Sequence, residues 1–221
     1  MKSKLLILII IFSACDLFKE NQIIDDIIEP QTPVDSQLIE PEFNEIINST
    51  YVLFKWKQQQ YADSYLIEVC ENSDFSSCEI SETSSSLIKI ITNNLNWNTE
   101  YFWRVKALSE THSFENWVDS SQFRIGEKLG NAYTNITNYE SNNDITMYGS
   151  FFDFYSAAID ADGNEIWNTG NTQFVFYSMN TRGQFFGSQY SPHLENNLPG
   201  IEFNSQNEII WSYNWGGRQK N

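Results

Sequence analysis

Few side chains in this sequence are equipped for chemistry: three cysteines, Cys15, Cys70 and Cys78, and two histidines, His112 and His193. A thiol just behind a short apolar leader is a site for acylation. Two thiols flanking a short polar loop can close a disulfide, and without a nearby histidine they supply only half of a tetrahedral zinc site. Each histidine stands alone in a loop, where the ordinary role is that of a solvated residue, and no HExxH, Walker loop or nucleophile elbow accompanies them. The sequence therefore nominates no catalytic residue, no metal ligand and no cofactor. Asp160, Asp162 and Glu165 have the composition of a calcium loop, but Gly163 falls at the wrong place for EF-hand spacing. A hairpin turn is the better reading, because Asp162-Gly163 supplies the residue that tolerates positive φ.

The elements that position these groups begin at the amino end. Lys2 and Lys4 precede an apolar run from Leu5 to Phe12, and Ser13, Ala14 and Cys15 follow, the charged, apolar and small-residue order of a secretory signal. The run is too short to span a bilayer, which takes about 20 residues. Phe12-Ser13-Ala14-Cys15 resembles a lipobox, which implies removal of residues 1–14 and lipid attachment at Cys15; an ordinary cleaved signal is the alternative. More than one acyl chain is enough for stable anchoring. The resemblance places the protein in the cell envelope, periplasmic or on the surface, with Asp16 leaving the choice of membrane open. Loss of Lys2 and Lys4 takes the formal charge from −16 to −18. That charge repels nucleic acid and anionic headgroups, so the membrane is met through lipid alone.

The mature chain keeps 221 − 14 = 207 residues, enough for two domains. Residues 15–37 form an acidic tether carrying Pro30 and Pro33. Short strand-like runs then recur between Asn, Ser, Asp and Gly clusters, and aromatics reach 15%, so an all-β fold is expected. Period-two alternation puts Thr50, Val52, Phe54 and Trp56 on one face of a strand, and Tyr65, Ile67 and Val69 on one face of the next. Tyr101, Trp103, Val105 and Ala107 share a third inward face, with Arg104 and Lys106 turned to water. Such aromatics could instead form a sugar-stacking platform, but their inward parity favours core packing. Phe102, of outward parity, is the better contact residue. Cys70 and Cys78 flank a hairpin, and in an exported chain their disulfide would contribute roughly 2 to 3 kcal/mol.

Trp56, Tyr65, Leu95, Thr99, Tyr101, Arg104, Val105 and Ala107 in this spacing resemble the fibronectin type III pattern over residues 38–126. That resemblance implies a β-sandwich in which Leu95 and Tyr101 form the tyrosine corner, the phenol hydroxyl returning to an upstream backbone group. Trp97 stands where family members often carry Pro, which implies a less rigid loop, and Trp117 with Ser121–Ile125 would close the sandwich.

In residues 127–221 the segment Ile159–Trp167 is echoed by Phe203–Trp211. The spacing is 207 − 164 = 43 if Asn is the anchor and 211 − 167 = 44 if Trp is. Both suit blade-sized repeats. Asn180–Phe186 reads as a further turn and strand. This texture resembles the opening of a β-propeller of the arylsulfate sulfotransferase family, giving a fibronectin type III-like β-sandwich followed by incomplete β-propeller-like blades. The family's sulfuryl-accepting histidine and its supporting residues lie in later blades, so none is assigned here, and the chain alone is expected to be inactive. The alternative from the same residues is a non-catalytic surface module that binds glycans or proteins.

Overall fold

The computed structural model describes residues 36–129, 144–192 and 198–213. Cys15, the tether up to residue 35 and His193 lie outside the described residues. The described residues belong to one compact unit and are all-β apart from one 3₁₀ turn at Gly170–Thr172. Among the described residues no sheet closes into a barrel and no closed propeller is formed.

Two sheets make a β-sandwich-like body. One has the order β1 (Leu38–Glu40), β3 (Val52–Trp56), β6 (Ile88–Ile91). The other has the order β2 (Glu45–Ile47), β8 (Asp119–Ile125), β7 (Glu100–Leu108), β4 (Ser64–Cys70), β5 (Ile80–Ser84), with β2 parallel to β8 and the rest antiparallel. Strict alternation dictates the core. Val52, Phe54 and Trp56 of β3 face Tyr65, Ile67 and Val69 of β4 and Tyr101, Trp103, Val105 and Ala107 of β7, all buried. Phe54 sits edge-on to Trp103 with centroids 5.1 Å apart, and to Phe123 at 5.7 Å, the geometry the ring quadrupoles favour. Each such side chain contributes about 1.5 to 3 kcal/mol by leaving water.

Three expectations are corrected. Thr50 precedes β3, and its amide is used outside the sandwich, donating to the Ile166 carbonyl at 2.9 Å. Arg104 faces outward as its parity requires, but its side chain is only 21% exposed. Its guanidinium lies 4.1 Å from the Phe75 ring centroid and 3.8 Å from that of Trp117, and it pairs with Glu68 at 2.6 Å. Trp117 therefore covers this cation on the outside of the sheet and takes no part in the sandwich core.

Two further sheets follow. The first has the order β11 (Glu165–Asn168), β10 (Tyr155–Ile159), β9 (Thr146–Ser150). The second is an antiparallel meander of β12 (Phe174–Met179), β13 (Phe185–Gln189), β14 (Gly200–Phe203) and β15 (Ile209–Ser212). Ala158, Ile166 and Trp167 of the first and Phe174, Phe185, Ile201 and Phe203 of the second belong to one second core. Gly149 lets β9 approach β12 closely, since a Cβ there would lie 2.5 Å from the Phe176 carbonyl oxygen.

Three turns in this region use one hydrogen-bond scheme. In Asp160–Asn164, Asn180–Gln184 and Asn204–Glu208, the first side chain's Oδ1 accepts the amides two and four residues on. The fourth residue, Gly163, Gly183 or Asn207, takes positive φ of 83°, 78° and 65°. Asn can replace Gly there because it tolerates the left-handed region. The alignment of the two copies follows. Ala158 pairs with Trp167 and Glu202 with Trp211, so the offset is 211 − 167 = 44 throughout. Asn207 is the counterpart of Gly163, and the alternative anchor of 43 is discarded.

Candidate functional site

The feature that organises the molecule is the join between the sandwich and the first of the later sheets. Between β2 and β3 the chain leaves the sandwich as Asn48-Ser49-Thr50-Tyr51, and Ser49 forms an antiparallel bridge with Trp167 on the free edge of β11. The Thr50 amide donates to the Ile166 carbonyl at 2.9 Å, the Asn168 amide to the Asn48 carbonyl at 3.0 Å, and the Ser49 hydroxyl to the Ile166 carbonyl at 2.9 Å. A short polar segment of one sheet system thus completes the hydrogen bonding of another, which is how an exposed edge strand is satisfied. Tyr51 adds its ring to the second core.

Trp97 reinforces the join. Its indole Nε1 donates to the Glu165 carbonyl at 2.9 Å, so the loop expected to be less rigid is pinned across the two parts. Glu165 itself is buried, and its carboxylate accepts from the Leu129 amide at 3.0 Å and from the Asn168 amide group at 2.8 Å. The calcium-loop composition resolves into structural roles: the Asp160 carboxylate caps its own turn, and Glu165 is enclosed in this network.

Beside the join lies a groove of about 700 Å³ between the outer face of β3 and β6 and the Asn204–Glu208 turn. Tyr51, Leu53, Ile90 and Trp167 supply apolar wall, and Glu42, Glu45 and Glu208 are among its carboxylates. Burial pushes the Glu45 carboxyl above the usual carboxylate range; the Glu42 amide, donating at 2.8 Å, opposes this, and the neighbouring charges of Glu42, Glu40 and Glu208 add to it. No group of three or more His, Cys, Asp or Glu that could hold a metal occurs among the described residues. The groove pairs apolar surface with hydrogen-bond acceptors, a combination suited to recognition.

The residues singled out from sequence do not converge on this groove. Cys70 and Cys78 form a disulfide at the far end of β4. Leu95 is buried, and the Tyr101 hydroxyl accepts from the Asn96 amide at 2.8 Å. Burial raises the Tyr101 phenol above its ordinary value. His112 stacks on Tyr61 with centroids 4.2 Å apart, and its Nδ1 is 2.9 Å from the Thr111 hydroxyl, which leaves it a loop residue with local partners. Missed by sequence reasoning were Asn48–Tyr51 and the bond made by Trp97; the signal for the second was an indole in a loop that the sandwich core only partly buries. No protein-family model matches the chain, and no curated protein matches it.

Proposed function

We propose that this chain is a lipid-anchored cell-envelope protein in which a fibronectin type III-like sandwich is the rigid mount for the opening sheets of a β-propeller. For the sandwich, the order β1-β3-β6 packed against β5-β4-β7-β8 and the bond from Asn96 to the Tyr101 hydroxyl support the reading. For the blades, support comes from the four-stranded meander and the 44-residue offset, 211 − 167, of its last hairpin. The observation that carries the mounting role is the strand-like bridge of Asn48–Thr50 to β11, because it joins the two parts through backbone hydrogen bonds. On this reading the lipid on Cys15 and the acidic tether hold the mount to the membrane, and the propeller carries the chemistry, for which the sulfotransferase resemblance nominates transfer of sulfuryl groups from aryl sulfates to phenols. The anchor is tested by labelled-lipid incorporation in cells making the protein: Cys15→Ser abolishes labelling, and unchanged labelling refutes the assignment.

A second reading, a non-catalytic module binding glycans or proteins, is favoured by the groove of about 700 Å³ at the join. Leu53→Asp and Ile90→Asp, placed on its apolar wall, abolish capture of such a ligand if the groove is the binding site.

A further inference from the structure

The groove beside the join holds unbalanced charge. Glu40, Glu42, Glu45 and Glu208 line it, and no lysine or arginine does. Glu40 is paired with Lys55 at 3.6 Å, whereas no ion pair among the described residues reaches Glu42, Glu45 or Glu208. What Glu45 and Glu208 accept comes from neutral donors, the Glu42 amide at 2.8 Å and the Asn204 side-chain amide at 2.7 Å. Burial and then the neighbouring carboxylates hold the Glu45 carboxyl above its usual range, so negative charge gathers here with no lining cation to answer it. The same groove has an apolar wall. Leu53 and Ile90 are cross-strand partners in β3 and β6, and Ile90 is 60% exposed.

We propose that this groove binds an extended, lysine-bearing segment of a partner protein, its ammonium groups paired with Glu42, Glu45 and Glu208 and its apolar side chains against Leu53 and Ile90. The inference rests on the second reading above, binding without catalysis, and names the ligand. No three carboxylates of the described residues converge as a metal-binding group, so they suit cations spaced along a ligand better than a single ion. Lysine fits both parts of the lining, because its methylene stem lies on apolar surface while the ammonium stays among the carboxylates. In an extended peptide alternate residues turn to opposite sides, so lysines and apolar residues are delivered separately. β6, which contributes Ile90, is the edge strand of its sheet, and such an edge offers backbone donors and acceptors that a peptide can match.

The test is fluorescence anisotropy of the full chain with a labelled hexapeptide of alternating lysine and leucine. Hexapeptides alternating glutamate with leucine, or lysine with serine, are the comparisons. The lysine–leucine peptide binds, more tightly at low salt, and the other two bind more weakly by about tenfold or more. Glu42→Gln combined with Glu208→Gln weakens binding about tenfold, and Ile90→Ser does the same. These side chains are exposed, so the variants keep the wild-type urea midpoint and the loss is not unfolding. Glu110→Gln with Glu115→Gln, in the loop between β7 and β8 and outside the groove, makes the same change in net charge and leaves binding intact. No binding of the lysine–leucine peptide overturns the proposal. An equal loss in the two double variants overturns it too, by assigning the attraction to the whole chain's charge of −16. Spermidine binding as tightly as the peptide assigns the carboxylates to a small polyamine and counts against a protein partner. Cellohexaose bound in place of the peptide, and lost with Ile90→Ser, gives the groove to a neutral glycan: the proposal falls while the binding reading stands. If neither the peptide nor the glycan is held, both fall together.

Discussion

The indole of Trp97 and the backbone carbonyl of Glu165 are joined by a 2.9 Å hydrogen bond across 68 positions of sequence, linking a sandwich loop to the first of the later sheets. Trp97→Phe keeps most of the ring and removes the donor. The Glu165 carbonyl then loses a partner at a half-buried site, and stability falls by about 1 kcal/mol. Urea unfolding of the full chain measures this, and a midpoint equal to wild type contradicts the role given to Trp97.

Tyr101→Phe isolates the second side-chain-to-backbone bond. The Tyr101 ring is fully buried and its hydroxyl accepts from the Asn96 amide, so the variant strands that N–H. The expected loss is about 1 to 3 kcal/mol. Phe lacks only the oxygen, so packing is kept and an unchanged midpoint removes Tyr101 from the corner.

Arg104 is held as a planar cation between two rings, and Lys is no substitute for it. Arg104→Lys loses the stacking on Phe75 and Trp117 and the paired donation to Glu68 from Nε at 2.9 Å and Nη2 at 2.6 Å. A loss of about 1 to 2 kcal/mol is expected, with a change in Trp117 fluorescence. Unaltered emission and stability contradict the stack.

The sandwich strands were legible because each has one buried face. In β7 every second residue from Tyr101 to Ala107 is apolar, and the buried set is the one the alternation names. The surroundings of Arg104 were not legible: parity fixes the direction of its side chain, while Phe75 and Trp117 reach it from loops with no period of their own. The Asn48–Tyr51 bridge escaped for a related reason, since four residues of polar linker carry no pattern and their partners lie on a strand formed more than a hundred residues later. In the repeats Asp-Gly and Trp marked the hairpins, but the register was fixed only by the shared hydrogen bonds of the turns, because Asn207 takes the conformation that Gly takes in the other two.

Glu45 gives a pH dependence of defined sign. Burial raises its carboxyl in the folded state above its unfolded value, so the fold favours the protonated form. This contribution is present at low pH and is lost as pH rises through the folded value. Glu45→Gln, neutral throughout, is therefore more stable relative to wild type at about pH 7 than at about pH 4. Urea midpoints of both proteins across that range measure the difference, and a gap that shrinks as pH rises contradicts the assignment.

Gly149→Ala tests the approach of the two later sheets. The added methyl meets the backbone oxygen and nitrogen of Phe176 at 2.5 and 2.9 Å, atoms that cannot rotate away. Overpacking of this kind costs about 1 to 3 kcal/mol. Gly200→Ala, whose Cβ has no neighbour nearer than 3.8 Å, is the control and leaves thermal unfolding unchanged.

The mounting role rests on two amides, those of Thr50 and Asn168, which bond across the join to Ile166 and Asn48. Native-state hydrogen exchange on the full chain reads both directly. If the sandwich and the later sheets are one rigid body, these amides exchange as slowly as their neighbours in β3 and β10, and Ser49→Pro, which keeps the Thr50 and Asn168 amides but disturbs the bridge, speeds both. Free exchange at Thr50 and Asn168 while β3 and β10 stay protected would mean that the two parts are merely adjacent, and the sandwich would be no mount.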